Sequence, residues 1–148
     1  MTKGNPFELE VEAELKSLPV INDFITEAME RLEVDSLTIY KVQLAVEEAC
    51  TNIIQHGYSG RKGAIKILCK LVDSEFTVTI RDRGKPFDPR SAPPPDLGTD
   101  LDKRKVGGLG IYFMRKLMDE MSYSFDAVNG NQLTMRKRLT CTGRSTSD

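Results

Sequence analysis

The sequence predicts an α/β two-layer sandwich in which helices cover one face of a mixed, mostly antiparallel sheet. Three observations carry that reading: an opening stretch of period-two alternation, two subsequent stretches with apolar residues at helical spacing, and two pairs of strand-like runs joined by short polar turns. Phe7 to Leu15 sets Phe7, Leu9, Val11, Ala13 and Leu15 against Glu8, Glu10, Glu12 and Glu14, the pattern of a strand with one wet face. Ser17 before Leu18-Pro19 suits an N-cap, and Val20, Ile21, Phe24, Ile25, Ala28 and Leu32 then recur at helical spacing. Asp35 or Ser36 caps a second helix, whose apolar face carries Ile39, Val42, Val46, Ala49, Cys50 and Ile53 until Gly57 ends it. Asp73-Ser74 joins strands Ala64 to Val72 and Glu75 to Arg81. Asp88 to Val106 is rich in proline, glycine and charge with no hydrophobic period, and reads as a long mobile loop. A helix from about Gly108 to Met118 and strands near Met121 to Val128 and Gln132 to Leu139, around Asn129-Gly130, complete the pattern; the tail from Thr140 reads as disordered.

Composition narrows the function classes. The chain has 148 residues, 39% of them hydrophobic, enough for one domain (1–148) with a real core. A formal net charge of −1 provides no basic field for nucleic acid, and Lys103-Arg104-Lys105 is too short to act as one. Cys50, Cys69 and Cys141 show no CxxC spacing, and read as reduced thiols, two of them in the core, without a metal site. No apolar run is long enough to span a bilayer and the first residues lack a signal-peptide core, so the cytoplasm is the expected location.

Three motifs carry chemistry. In the helix ending at Gly57, Glu48 and Asn52 stand one turn apart on one face, about 40° from each other, whereas Glu47 lies about 140° from Asn52. A carboxylate and an amide so placed can meet a metal-bound phosphate, with Glu48 as general base and Glu47 as a solvent-facing neighbour. Asp82 follows the β-branched run Phe76-Thr77-Val78-Thr79-Ile80, and Gly84 just beyond it lets backbone approach a flat ligand such as an aminopurine. Gly107-Gly108-Leu109-Gly110 supplies backbone N–H groups at a helix start, a favourable place for phosphate. His56, the only histidine, reads as a helix-terminus group before Gly57; Lys103-Arg104-Lys105 is open between a solvated run and a phosphate-neutralising one.

In this order the motifs EEACTNIIQHGY, DRGKPF, GGLGIYF and GNQLTMRKRL resemble the Asn box, the two glycine boxes and the late threonine strand of the GHKL superfamily of ATP-binding domains. Within it the chain is most similar to the small bacterial anti-sigma-factor serine/threonine protein kinases. The resemblance spans about a hundred residues and implies the Bergerat fold, ATP and Mg²⁺ as cofactors, and a lid over about 88–106. It implies that Glu48 is the base, that the side-chain oxygen of Asn52 ligates Mg²⁺, and that Asp82 accepts a hydrogen bond from the adenine exocyclic amine. Thr134 would help hold adenine, and Gly107, Gly108, Leu109 and Gly110 would contact phosphate. The first glycine box, DRGKPF, has Pro86-Phe87 where many superfamily members carry a second glycine, a version familiar among the anti-sigma kinases.

The function implied is an ATP-dependent serine/threonine kinase that acts as an anti-sigma factor and phosphorylates a STAS-fold anti-anti-sigma protein, with dimerisation implied alongside. A non-catalytic, nucleotide-regulated protein-binding module is the alternative, against which Glu48 argues. A histidine-kinase ATPase domain is a further alternative, but such a domain normally follows a helical segment bearing the acceptor histidine, and the only histidine here lies inside the Asn box.

Overall fold

The computed structural model describes residues 7–86 and 115–139. The predicted loop at 88–106, Lys103-Arg104-Lys105, the glycines Gly107, Gly108 and Gly110 with Leu109, most of the third helix, Cys141 and the tail lie outside the described residues.

β1 (Phe7–Glu12) behaves as its alternation predicts: Phe7, Leu9 and Val11 pack against the core and the three glutamates face solvent. It stops short of the predicted Leu15 because Leu15–Ser17 turns as a short 3₁₀ segment, closed by the Ser17 hydroxyl donating to the Glu12 carbonyl at 2.8 Å. Ser17 therefore bonds backwards and does not cap the next helix. α1 (Leu18–Arg31) starts with proline in its first turn and buries Ile21, Ile25, Ala28 and Met29. α2 (Ser36–Asn52) has a true cap: Asp35 accepts from the Thr38 amide at 3.0 Å and the Thr38 hydroxyl at 2.8 Å. Beyond Asn52 the helix widens into a π turn, Ile53–Tyr58, before Ser59 leaves in a left-handed conformation.

β2 (Ala64–Val72) and β3 (Glu75–Asp82) form a hairpin whose linking residues Asp73 and Ser74 both have positive φ, 51° and 68°, as a tight two-residue turn requires. Residues 115–117 are helical, and the chain ends in β4 (Glu120–Asp126) and β5 (Gly130–Arg138). The strands lie in the order β1-β2-β3-β5-β4, and all four pairings are antiparallel.

One face of this sheet meets the helices. Ile65, Ile67 and Cys69 of β2, Phe76, Val78 and Ile80 of β3, and Leu133 and Met135 of β5 form one cluster with the buried faces of α1 and α2. The other face is polar, with Glu8, Glu10, Lys70, Arg81, Ser122 and Ser124 exposed. Cys50 and Cys69 are unpaired and buried on the helix side, where burial pushes both thiols up to about 12, so they are inert packing groups. Among the described residues no helix is long and apolar enough to cross a membrane. This layering brings the last residue of β3, the central strand, beneath the end of α2.

Candidate active site

The last turn of α2 supplies one wall. Glu48 is half-buried and Glu47 exposed, as their positions around the helix predict. Burial raises the Glu48 carboxyl above its ordinary range; the Asn52 side chain opposes that shift and the Glu47 charge adds to it. Asn52 itself is buried, 8% exposed, and its amide nitrogen meets no hydrogen-bond partner among the described residues. Its effect on Glu48 is thus that of a nearby dipole without a well-formed bond. An orphaned buried amide is costly, and it marks a place where an outside group completes the structure. His56 lies exposed in the π turn, its backbone carbonyl accepting from the Ser59 hydroxyl at 3.3 Å.

The end of β3 supplies the other wall. Asp82 is buried, and burial raises its carboxyl, with Asn131 and the Gly84 amide pulling it back. Its Oδ1 accepts from the Gly84 amide at 2.7 Å and from Asn131 Nδ2 at 2.9 Å. The two walls touch. A Cβ built on Gly57 in the π turn would lie 3.9 Å from Asp82 Oδ1, and the Asp82 charge is felt by the Cys50 thiol on α2. Gly84 packs directly against Gly57, where a Cβ would meet backbone carbon at 2.6 Å, and the Lys85 amide donates to the Gly57 carbonyl at 2.8 Å. The close approach that Gly84 permits here is thus to the end of the helix. Tyr58 ties the same corner, its hydroxyl donating to the Ala64 carbonyl and accepting from the Arg83 amide.

Thr134 is not brought to this corner. It stands opposite Thr79 and Ser122, while its neighbours Leu133 and Met135 face the core opposite Ile80 and Val78. Period-two alternation therefore puts its side chain on the polar face of the sheet, away from Asp82. The residue opposite Asp82 is Asn131, 3% exposed and missed by the sequence reading. Counting back two and four residues from the apolar Leu133 and Met135 would have placed it on the helix face; its position after Asn129-Gly130 made it look like part of the turn. A cleft of about 760 Å³ opens beside Lys66, Arg81, Gln132 and Ser124, and Asp82 and Tyr58 also contribute to its lining. Glu48 and Asn52 do not line it.

The helix end thus offers a carboxylate with a raised pKa beside an unsatisfied amide, and the strand end offers a clamped carboxylate. Among the described residues no cluster of three histidine, cysteine or acidic side chains is placed to hold a metal. A cation held here would draw one protein ligand from Asn52 and the rest from a nucleotide's phosphates and water.

The chain is 27% identical over 130 residues to serine-protein kinase RsbW of Bacillus thuringiensis (strain Al Hakam), which covers 85% of this chain and 81% of that one. It is 27% identical over 137 residues to the anti-sigma F factor of Clostridium novyi (strain NT), covering 92% and 96%. Its fold is similar to that in the crystal structure of the RsbU and RsbW domains of Rv1364c from Mycobacterium tuberculosis, with a TM-score of 0.66 at 20% identity over 91% of this chain. This chain spans 32% of that larger one. Residues 11–137 match the histidine kinase-like ATPase domain, and with that match covering most of its length the chain belongs to the histidine kinase-like ATPase domain family.

Proposed function

We propose that the chain is an ATP-dependent serine/threonine protein kinase that acts as an anti-sigma factor and phosphorylates a STAS-fold anti-anti-sigma protein in the cytoplasm. The observation that carries this reading is the pairing of Glu48 with Asn52, one turn apart at the end of α2, which runs on into the π turn whose Gly57 packs on the strand end that holds Asp82. The names of the relatives, a serine-protein kinase and an anti-sigma factor, support it.

In this mechanism Asp82 accepts a hydrogen bond from the adenine amine and anchors the base. Gly107, Gly108, Leu109 and Gly110 are assigned to the phosphates by sequence. The side-chain oxygen of Asn52 would ligate Mg²⁺, which when bound with the nucleotide would neutralise phosphate charge, while the unpartnered Nδ2 is a donor suited to a phosphate or water oxygen. The serine or threonine oxygen of the substrate attacks the γ-phosphorus, the bond to the β–γ bridging oxygen breaks with its electron pair, and ADP leaves. Glu48 takes the hydroxyl proton as that bond forms. A carboxyl raised by burial is better suited to this work, because a general base is most effective when its pKa approaches the working pH.

The experiment is phosphoryl transfer from labelled ATP to a STAS-fold acceptor by Glu48→Ala. Transfer should fall by about 10²–10⁴-fold, the usual contribution of a positioned base, while ATP affinity stays unchanged. Undiminished transfer would remove Glu48 as the base.

A further inference from the structure

Asp82 is held through one oxygen only. Oδ1 takes both hydrogen bonds, from the Gly84 amide at 2.7 Å and Asn131 Nδ2 at 2.9 Å, and no described residue bonds to Oδ2. Asn131 in turn has no freedom. Its Nδ2 also donates to the Gly84 carbonyl at 2.9 Å, so both amide hydrogens are used, and its oxygen accepts from the Tyr123 hydroxyl at 3.1 Å. Turning the amide over would set its oxygen against a carboxylate and a carbonyl, two acceptors, and its NH₂ against a hydroxyl. The orientation of Asn131 is therefore dictated by its surroundings, and it transmits that orientation to Asp82.

The consequence is chemical as well as geometric. A carboxylate whose inner oxygen is occupied by two donors is stabilised in its ionised form, and its outer oxygen can only accept. Without the Asn131 donor, burial would favour protonation, and a protonated Asp82 offers a hydrogen to a ring with a keto oxygen as readily as it accepts from one with an amine.

We propose that Asn131 is the positioning residue that fixes Asp82 as a one-sided acceptor and thereby sets the preference of this site for a 6-amino over a 6-oxo purine. This rests on the proposed function, in which Asp82 meets the base of a nucleotide. Asn131 acts through Asp82 and is not itself assigned a contact with the ligand.

The test is calorimetric titration of the full chain with ATP and with inosine triphosphate, which differs in carrying the 6-oxo group. The wild-type chain should favour ATP clearly. Asn131→Leu, which keeps the branched heavy-atom skeleton but has no donors, should narrow the ratio of the two dissociation constants by about tenfold, the scale of one hydrogen bond to a charged group. Tyr123→Phe, which keeps the ring and removes only the hydroxyl holding the Asn131 amide, should narrow it by about threefold. Asn131→Thr, which retains one donor, should fall between wild type and Asn131→Leu. A purely structural role for Asn131 would weaken both nucleotides alike and leave the ratio at its wild-type value. An unchanged ratio in folded Asn131→Leu, or in Tyr123→Phe should the leucine variant fail to fold, overturns the proposal alone. A wild-type chain that binds both nucleotides equally, or neither, overturns the adenine reading and the proposal with it.

Discussion

The two ends of α2 are built on opposite principles. At its start Asp35 caps the helix with two hydrogen bonds to Thr38, and those bonds hold its carboxyl below the ordinary range. At its end Glu48, and Asp82 beneath the turn that follows, are raised by burial, Asn52 Nδ2 has no partner among the described residues, and the regular helix gives way to a π turn. Every local choice at the first end favours the folded state. At the second end several oppose it, which is the pattern expected where binding, and not stability, decides which residue stands.

The comparison can be broken in three ways, taken from the largest effect down. Gly84→Ala pushes a Cβ into the Gly57 backbone, where the Lys85 amide already holds both segments in place, so neither can give way cheaply. It should lower stability by about 3 kcal/mol in denaturant titration. A loss no larger than that of an exposed surface substitution would show that the walls are not rigidly joined.

Asp35→Ala should cost about 1 kcal/mol at neutral pH, the ordinary loss of an N-cap. The sign with pH follows from its lowered folded pKa. Its stabilisation is fully present above the unfolded value and is lost as pH falls through the folded one, so the gap between wild type and variant should narrow as pH falls below the ordinary carboxylate range. Glu48 and Asp82 have the reverse sign: their ionisation disfavours folding as pH rises from the ordinary carboxylate range through their raised values. Asn52→Leu gives the smallest change and the most informative one. Removing the orphaned amide and adding a better helix former should leave the melting temperature equal or slightly higher, while magnesium-dependent nucleotide binding is lost. A marked destabilisation would mean that Asn52 is a structural residue.

The stabilising end of α2 was legible in the sequence and the strained end only in part. Asp35 announces itself because a cap is a local device: an acid, a threonine three residues on, and an apolar period after it. The Asp73-Ser74 hairpin and the alternation of β1 are legible for the same reason. Glu48 and Asn52 could be paired from helical spacing alone. Ser17 looked like a cap because its alternative partner, the Glu12 carbonyl, exists only once the chain has turned. The π turn has no sequence period of its own to reveal it. That Asn131, and not Thr134, shares the face of Asp82 was not legible, because the register of β5 on β3 is a tertiary fact and a shift of an odd number of residues moves a side chain to the other face. Gly84 was singled out for the approach of a flat ligand, and the contact the structure shows, with Gly57, joins segments that only the fold brings together.

The most direct measurement of the central claim is calorimetric titration of the chain with ATP and with GTP, each with and without magnesium, beside Asp82→Asn. The account predicts magnesium-dependent binding of ATP, much weaker binding of GTP, and loss of ATP binding in an Asp82→Asn chain that remains folded. Equal affinity for ATP and GTP, or full ATP affinity in Asp82→Asn, would contradict it.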